Sequence, residues 1–167
     1  NILDVAKIES GQITLYKELF SAKDLLEEIV WDFQENKLEN GNVHLLLDAD
    51  NDAIIYTDKF RLNQILGNIL SNSIKFTEKG QIETGFYRNK NDIVFFVKDS
   101  GIGMSEEKQE VIFKRFTKIE DEREKLYRGA GLGLFICKNL VDLMGGEIQV
   151  ESEINIGTNF KIRLPIK

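Results

Sequence analysis

The sequence has 167 residues, 42% hydrophobic and 30% charged, with a formal net charge of −6. That length and balance suit one folded domain with a core of its own and exclude a disordered tail. The negative charge argues against a nucleic-acid partner, so an anionic ligand would need locally placed donors. The single cysteine, Cys137, rules out an intrachain disulfide and fits a reducing compartment. No apolar run approaches the roughly 20 residues of a membrane span. There is no signal peptide either, and a cytosolic domain is expected, whether or not its parent is membrane-anchored.

In chain order, residues 1–10 are helix-like, with Ile2, Leu3, Val5 and Ala6 grouped and Gly11 as the stop. Ten residues do not hold a helix alone in water, so this reads as the end of a longer upstream helix. Residues 12–20 alternate as a strand through Ile13, Leu15 and Leu19. Ser21 is an N-cap for an amphipathic helix over 24–37, with Trp31 expected to pack beside it. A turn at Asn40-Gly41-Asn42 leads to strands at 43–47 and 53–56. Thr57 or Asp58 then caps a helix over 61–76, which ends by Lys79-Gly80.

Residues 81–87 and 93–97 read as paired strands. Asp99-Ser100-Gly101-Ile102-Gly103-Met104 follows, then a helix start at Ser105. Phe113 reads as core. Residues 117–128 are charged and poor in apolar side chains, as a surface loop is. Gly129 to Leu134, GAGLGL, opens an apolar helix over 135–144 that stops at Gly145-Gly146. The last strands are 147–151 and 159–164, with Pro165 expected at a sheet edge. Helices alternate with strands joined by short turns. That favours an α+β fold, a two-layer α/β sandwich: a mixed, mostly antiparallel sheet of about five strands packed against three helices.

The 61–76 helix carries two faces. Leu62, Ile65, Leu66, Ile69 and Ser73 make an apolar one. Gln64, Asn68, Asn72 and Lys75 make the other. Carboxamide oxygens can ligate a hard cation such as Mg²⁺, and lysine can meet the phosphates it carries. The plain alternative is a solvated face with two Asn residues. Asp99 at a strand end can accept from an exocyclic amine, with Gly101 and Gly103 letting the backbone approach a planar ligand. That favours adenine over guanine, which presents a carbonyl. The plain alternative is an ordinary turn. GAGLGL lacks the G-x-G-x-x-G spacing and follows no strand, so it is no dinucleotide fingerprint. It still places glycines at a helix N-terminus, where phosphates bind. His44, the only histidine, has no evident orienting partner and reads as structural.

Together and in order, these stretches resemble bacterial sensor histidine kinases. NILSNSIKF (68–76) is similar to their N box and DSGIGM to the first glycine box. IFKRF is similar to the F box, GAGLGL to the second glycine box and GTNF to the last. The resemblance runs from about residue 12 to 167 and reaches the wider superfamily of gyrase, heat-shock chaperone and mismatch-repair ATPases, whose fold is an α/β sandwich. It implies that Asn72 ligates Mg²⁺, with Asn68 close to the metal or phosphates, and that Lys75 contacts phosphate. Phe76 would lie against the base and Asp99 would bond the adenine amine. Gly101 and Gly103 would shape the pocket, Gly129, Gly131 and Gly133 would line the phosphate side, and Leu132, Leu134 and Thr158 would sit near the nucleotide. Residues 117–130 would form a flexible ATP lid, with Lys118 or Arg128 able to reach the phosphates. Two departures stand out: Ala130 where the family often has Thr or Ser, and Lys118 where Arg is common.

The resemblance makes residues 1–11 the end of an upstream dimerisation and phosphoacceptor helix, and 12–167 the ATP-binding catalytic domain. It implies transfer of the γ-phosphoryl of ATP, with Mg²⁺, to a histidine outside this sequence, and onward to an Asp of a response-regulator receiver domain. The partners would be the chain's own phosphoacceptor domain and that receiver. Dimerisation would rest on the upstream helices, so this stretch alone is expected to be a monomer and the full-length protein a homodimer. The alternatives are an ATPase switch or serine kinase of the same fold, or an inactive nucleotide-binding module.

Overall fold

The structure is a computed structural model that describes residues 2–36, 38, 41–49, 51–116 and 131–166. Its elements run α1 (Ile2–Glu9), β1 (Glu18–Ser21), α2 (Ala22–Asn36), β2 (Val43–Asp48), β3 (Ile54–Thr57) and α3 (Lys59–Lys75). They continue as β4 (Gly80–Asn89), β5 (Asp92–Asp99), α4 (Glu106–Gln109), α5 (Gly133–Leu143), β6 (Glu147–Glu153) and β7 (Gly157–Pro165). Five strands form one sheet in the order β2-β4-β5-β7-β6, and β1 pairs with β3 in a separate ribbon. Only the β2–β4 pair is parallel; the other ladders of the sheet are antiparallel. Two strands joined by a tight turn must run antiparallel, and Lys90-Asn91 makes such a turn between β4 and β5. The parallel pair is the one whose strands are separated by β3 and α3.

Helices α2, α3 and α5 pack against one another and against the sheet, giving the expected two layers. Between them lies the core, with Leu26, Leu66, Ile69, Phe95 and Ile162 at 0% exposure. Each such side chain contributes about 1.5–3 kcal/mol relative to leaving it in water. The apolar face read from the sequence of α3 is the buried one: Leu62, Ile65, Leu66, Ile69 and Ser73 all go inside, joined by Leu70.

Four expectations need correction. Residues 12–17 form no strand; Ile13 and Leu15 do lean on the core, but the Tyr16 amide donates to a side chain, Asp58 Oδ2 at 2.8 Å, rather than to a ladder. Burial then changes parity, so Leu19 is exposed and Phe20 half-buried. Trp31 lies on the solvent side of α2, 64% exposed, because Leu26, Ile29, Val30 and Phe33 take the core side. Helix α3 ends at Lys75 rather than near Lys79, with the Phe76 amide bonding to the Asn72 carbonyl and the Thr77 amide to that of Ile74. Pro165 is not on an edge strand: β7 lies between β5 and β6. Its pairing with β6 ends at Arg163, so the missing N–H of Pro165 has no β6 partner to deprive.

Asp58 fixes the start of α3. Its Oδ1 accepts from the Arg61 amide at 2.9 Å while its Oδ2 holds Tyr16, and it is 3% exposed. Replacing it with alanine removes an N-cap and strands a second amide. The expected cost is about 2–3 kcal/mol, read as a lower urea midpoint at unchanged slope. A midpoint equal to wild type would show that neither bond matters.

Candidate functional site

An open pocket of about 420 Å³, solvent at its mouth included, lies between α3 and the ends of β5 and β7. From α3 come Asn72, Ser73 and the capping Phe76; from the end of β5 comes Asp99, and from the turn after it Ile102, Gly103 and Met104. Leu134 on α5 and Thr158 and Phe160 on β7 complete the wall. Asp99 thus stands as a carboxylate in a mainly apolar cup.

Strand register puts Asp99 there. It is the last residue of β5, opposite Ile82 on one side and Thr158 on the other. Its Oδ1 accepts from the Gly101 amide at 3.0 Å and the Thr158 amide at 3.2 Å. Both bonds go to one oxygen, which leaves Oδ2 to accept from a ligand. Burial pushes the carboxyl above its ordinary range, and the Gly101 amide, the Ser73 hydroxyl and the Thr158 amide offset part of that rise. Ser73 Oγ is close enough for this effect yet makes no hydrogen bond of ordinary geometry.

Close backbone contacts build the pocket rim. A Cβ on Gly101 would stand 2.4 Å from the Phe76 carbonyl oxygen, and one on Gly103 would stand 1.9 Å from that of Glu153. Between them the Ile102 amide donates to the Phe76 carbonyl at 3.2 Å, and the Ile102 carbonyl accepts from Asn155 at 2.8 Å. The Ser152 hydroxyl accepts from the Met104 amide at 2.8 Å and donates to the Gly157 carbonyl at 2.9 Å. The glycine turn is therefore sewn to the end of α3 on one side and to the β6–β7 turn on the other.

Among the residues singled out from the sequence, the structure gathers Asn72, Phe76, Asp99, Gly103, Leu134 and Thr158 on the pocket, with Gly101 adjoining. Lys75 sits beside it, its Nζ 5.2 Å from the Phe76 ring centre. Asn68 does not line it: its amide acts on Cys137 of α5, a thiol that burial pushes up to about 12. Gly131 and Leu132 form the approach to α5, which Gly133 begins, with Leu132 buried. Lys118, Arg128, Gly129, Ala130 and the rest of 117–130 lie outside the described residues. Ser73, Ile102, Met104 and Phe160 line the pocket without having been expected there. Their apolar or small side chains carry no chemical signal; only adjacency to Asn72, the glycines and Thr158 marked them.

A family profile described as histidine kinase-, DNA gyrase B- and HSP90-like ATPase matches residues 57–167, the stretch that holds the whole pocket. The chain belongs to this ATPase family. Within it, the likeness is to histidine kinases. The autoinducer 2 sensor kinase/phosphatase LuxQ of Vibrio parahaemolyticus is 38% identical, the match taking in 100% of this chain and 20% of that protein. The circadian input-output histidine kinase CikA of Synechococcus elongatus is 37% identical over 99% of this chain and 22% of its own. The chain therefore spans about a fifth of the length of these curated relatives. Among solved structures, the catalytic domain of histidine kinase ThkA superposes with a TM-score of 0.78 at 30% identity, over 90% of this chain and 98% of that one. Full-length ShkA, solved in complex with AMPPNP, gives 0.88 at 28% identity over 99% of this chain and 34% of its own. The chain is thus similar to the catalytic domains of histidine kinases, and its fold is the family's α/β sandwich. Among the described residues no helix is long and apolar enough to cross a membrane.

Proposed function

We propose that this catalytic domain binds ATP with its adenine on Asp99 and passes the γ-phosphoryl to a histidine of an upstream helical domain, for onward transfer to an Asp of a response-regulator receiver. The observation that carries the reading is the buried carboxylate whose Oδ1 is held by two backbone amides, in an apolar cup beside Phe76. An acceptor-only group there selects a base that offers an amine. Residues 1–11 act as the end of the upstream dimerisation helix and 12–167 as the catalytic domain. The domain is cytosolic and by itself a monomer, and the full-length protein is a homodimer.

No cluster of three or more His, Cys, Asp or Glu able to hold a metal exists among the described residues. The donor set near the pocket is instead the half-buried amide of Asn72. This suits Mg²⁺ that arrives on the phosphates and takes one carbonyl oxygen from the protein, since Mg²⁺ keeps most of its shell as water and phosphate. When bound, the ion offsets charge on the β- and γ-phosphates. The chain's own residues do the positioning: Asp99 and Phe76 orient the base, Asn72 and Lys75 hold the polar end, and Gly129, Gly131 and Gly133 serve the phosphate side. Asn68, one helical turn before Asn72 and outside the apolar pocket, would approach the metal or phosphates from the side of α3, Leu132, Leu134 and Thr158 would flank the nucleotide, and Lys118 and Arg128 would supply cations to the phosphates. An amide at Asn68 has no basic lone pair near neutral pH and cannot activate water, which favours transfer over hydrolysis.

The test adds the upstream helical domain in trans with radiolabelled ATP. Label in an acid-labile, base-stable bond on that domain is the expected result. ATP binding with no transfer would leave an inactive nucleotide-binding module.

A further inference from the structure

Behind the pocket wall lies a polar junction centred on Ser152 of β6, which faces Thr158 directly across the β6–β7 ladder. Its hydroxyl makes three contacts: 2.8 Å from the Met104 amide, 2.9 Å from the Gly157 carbonyl and 2.8 Å from Thr158 Oγ1. Gln109 of α4 holds the junction from outside. Its Nε2 donates to the Ser152 carbonyl at 2.9 Å and to the Met104 carbonyl at 3.2 Å. Met104 and Thr158 line the pocket; Ser152 does not.

A hydroxyl carries one proton and two acceptor sites. Ser152 accepts from the Met104 amide and gives its proton to the Gly157 carbonyl. Its contact with Thr158 therefore fills the second acceptor site, and Thr158 is the donor there. The opposite assignment would strip the buried Gly157 carbonyl of that proton, which is costly. With its own proton committed to β6, Thr158 Oγ1 turns only lone pairs elsewhere. Amides around the pocket are committed too: Gly101 and Thr158 to Asp99 Oδ1, and Ile102 to the Phe76 carbonyl. The other hydroxyl on the wall, Ser73, has its oxygen shut off from solvent beside Asp99.

Asp99 and Thr158 are themselves directly opposed, on β5 and β7. Directly opposed side chains start about 4.5–5.5 Å apart at Cβ. Two acceptors at about that spacing suit one nitrogen whose two N–H bonds diverge and reach about 2.9 Å each. A carbonyl in the same place would face acceptors alone.

We propose that Ser152 is a positioning residue for base selection: by taking the Thr158 proton, it makes Thr158 a second acceptor beside Asp99 and sets the pocket for an exocyclic amine against a carbonyl. Ser152 itself never touches the base. This role rests on the nucleotide reading above and adds to Asp99 a residue behind the wall.

Titration with Mg-ADP and Mg-IDP, followed by the Gly101 and Gly103 amide resonances so that millimolar affinities can be read, decides it. Hypoxanthine puts a carbonyl where adenine has its amine and lacks the extra amine of guanine, so the outline of the base is unchanged. Wild type is expected to prefer ADP by about a hundredfold or more. Ser152→Ala frees the Thr158 proton to donate to the carbonyl. It cuts the preference about tenfold, the worth of one hydrogen bond, mainly through a gain in IDP affinity. Ser152→Thr keeps the hydroxyl and restores the wild-type ratio. Gln109→Ala loosens the same junction without freeing the Thr158 proton, so it weakens both nucleotides together and leaves the ratio alone. A ratio that Ser152→Ala leaves at the wild-type value would overturn the role, since a merely structural Ser152 moves both affinities equally. So would a ratio that falls as far in Gln109→Ala as in Ser152→Ala. In both of those outcomes ADP still binds. Failure of wild type to bind ADP would instead overturn the nucleotide reading, and the role of Ser152 with it.

Discussion

Asp99→Asn is expected to abolish measurable ATP and ADP binding in calorimetric titration while leaving the domain at least as stable as wild type. The two halves have separate causes. For the ligand, an acceptor becomes an amide whose remaining free edge is a donor, so the adenine amine meets N–H instead of oxygen. Losing a charge-assisted bond and adding donor–donor opposition removes about 3 kcal/mol or more, over a hundredfold in affinity. For the fold, burial raises the Asp99 pKa above its unfolded value. A carboxyl raised in this way favours the fold below its unfolded pKa, and that contribution is lost as pH rises through the folded value. At neutral pH the ionised group is therefore a burden that asparagine lifts. Asparagine keeps an oxygen for the Gly101 and Thr158 amides, and its NH₂ gains the otherwise unpartnered Ser73 hydroxyl as an acceptor. Wild-type ADP affinity should also fall on acidification through the raised Asp99 value, and GTP should not bind. Retained ADP binding in the variant would remove Asp99 from the site. A melting temperature well below wild type would show that the carboxylate is structural.

Gly103→Ala is expected to destabilise the domain severely, by about 4 kcal/mol or more, because two penalties coincide. The residue has φ 66, and its Cβ would stand 1.9 Å from the Glu153 carbonyl oxygen and 2.6 Å from that carbonyl's carbon. Both atoms are backbone of Glu153, the last residue of β6, beside a turn pinned by the Asn155 to Ile102 bond, so no side chain can swing aside. At about 2–4 °C per kcal/mol for a domain of this size, the melting temperature should drop by about 10 °C or more. Gly133→Ala is the control. It meets nothing within 4 Å, has no positive φ, and begins α5, where alanine is the better helix former. Its fold should be unharmed. Equal melting temperatures for the two variants would show that the crowding at Gly103 is relieved by small backbone shifts.

This contrast shows where sequence reading succeeds. The core face of α3 was legible because Leu62, Ile65, Leu66 and Ile69 repeat with the helix period and every one is buried. Asp99 was legible because a carboxylate before two glycines is a local pattern. The ion pair between Glu9 and Arg115 was not legible: the two are 106 positions apart, and each alone is an ordinary surface charge. Nor was the difference among glycines. Gly103 and Gly133 look alike in their motifs, and only the opposing strand turn makes one obligatory. Trp31 and Leu19 went astray because hydrophobicity states what a side chain would gain by burial, while register and competition from Phe33 and Phe20 decide which ones are buried. Asn68 shares a helix face with Asn72, yet one amide meets the pocket and the other meets Cys137 of the neighbouring helix.

Cys137 gives the domain a built-in chemical clock. It is the only cysteine, is fully enclosed between α3 and α5, and donates its S–H to the Ile65 carbonyl at 3.7 Å. With its thiol pushed up to about 12, only about one molecule in ten thousand carries a thiolate at pH 8 even before access is considered. A thiol reagent therefore modifies the protein only when α3 and α5 part. The modification rate then counts how often the helix pair behind the pocket opens, and a ligand that holds the pair shut slows it in proportion to its own binding.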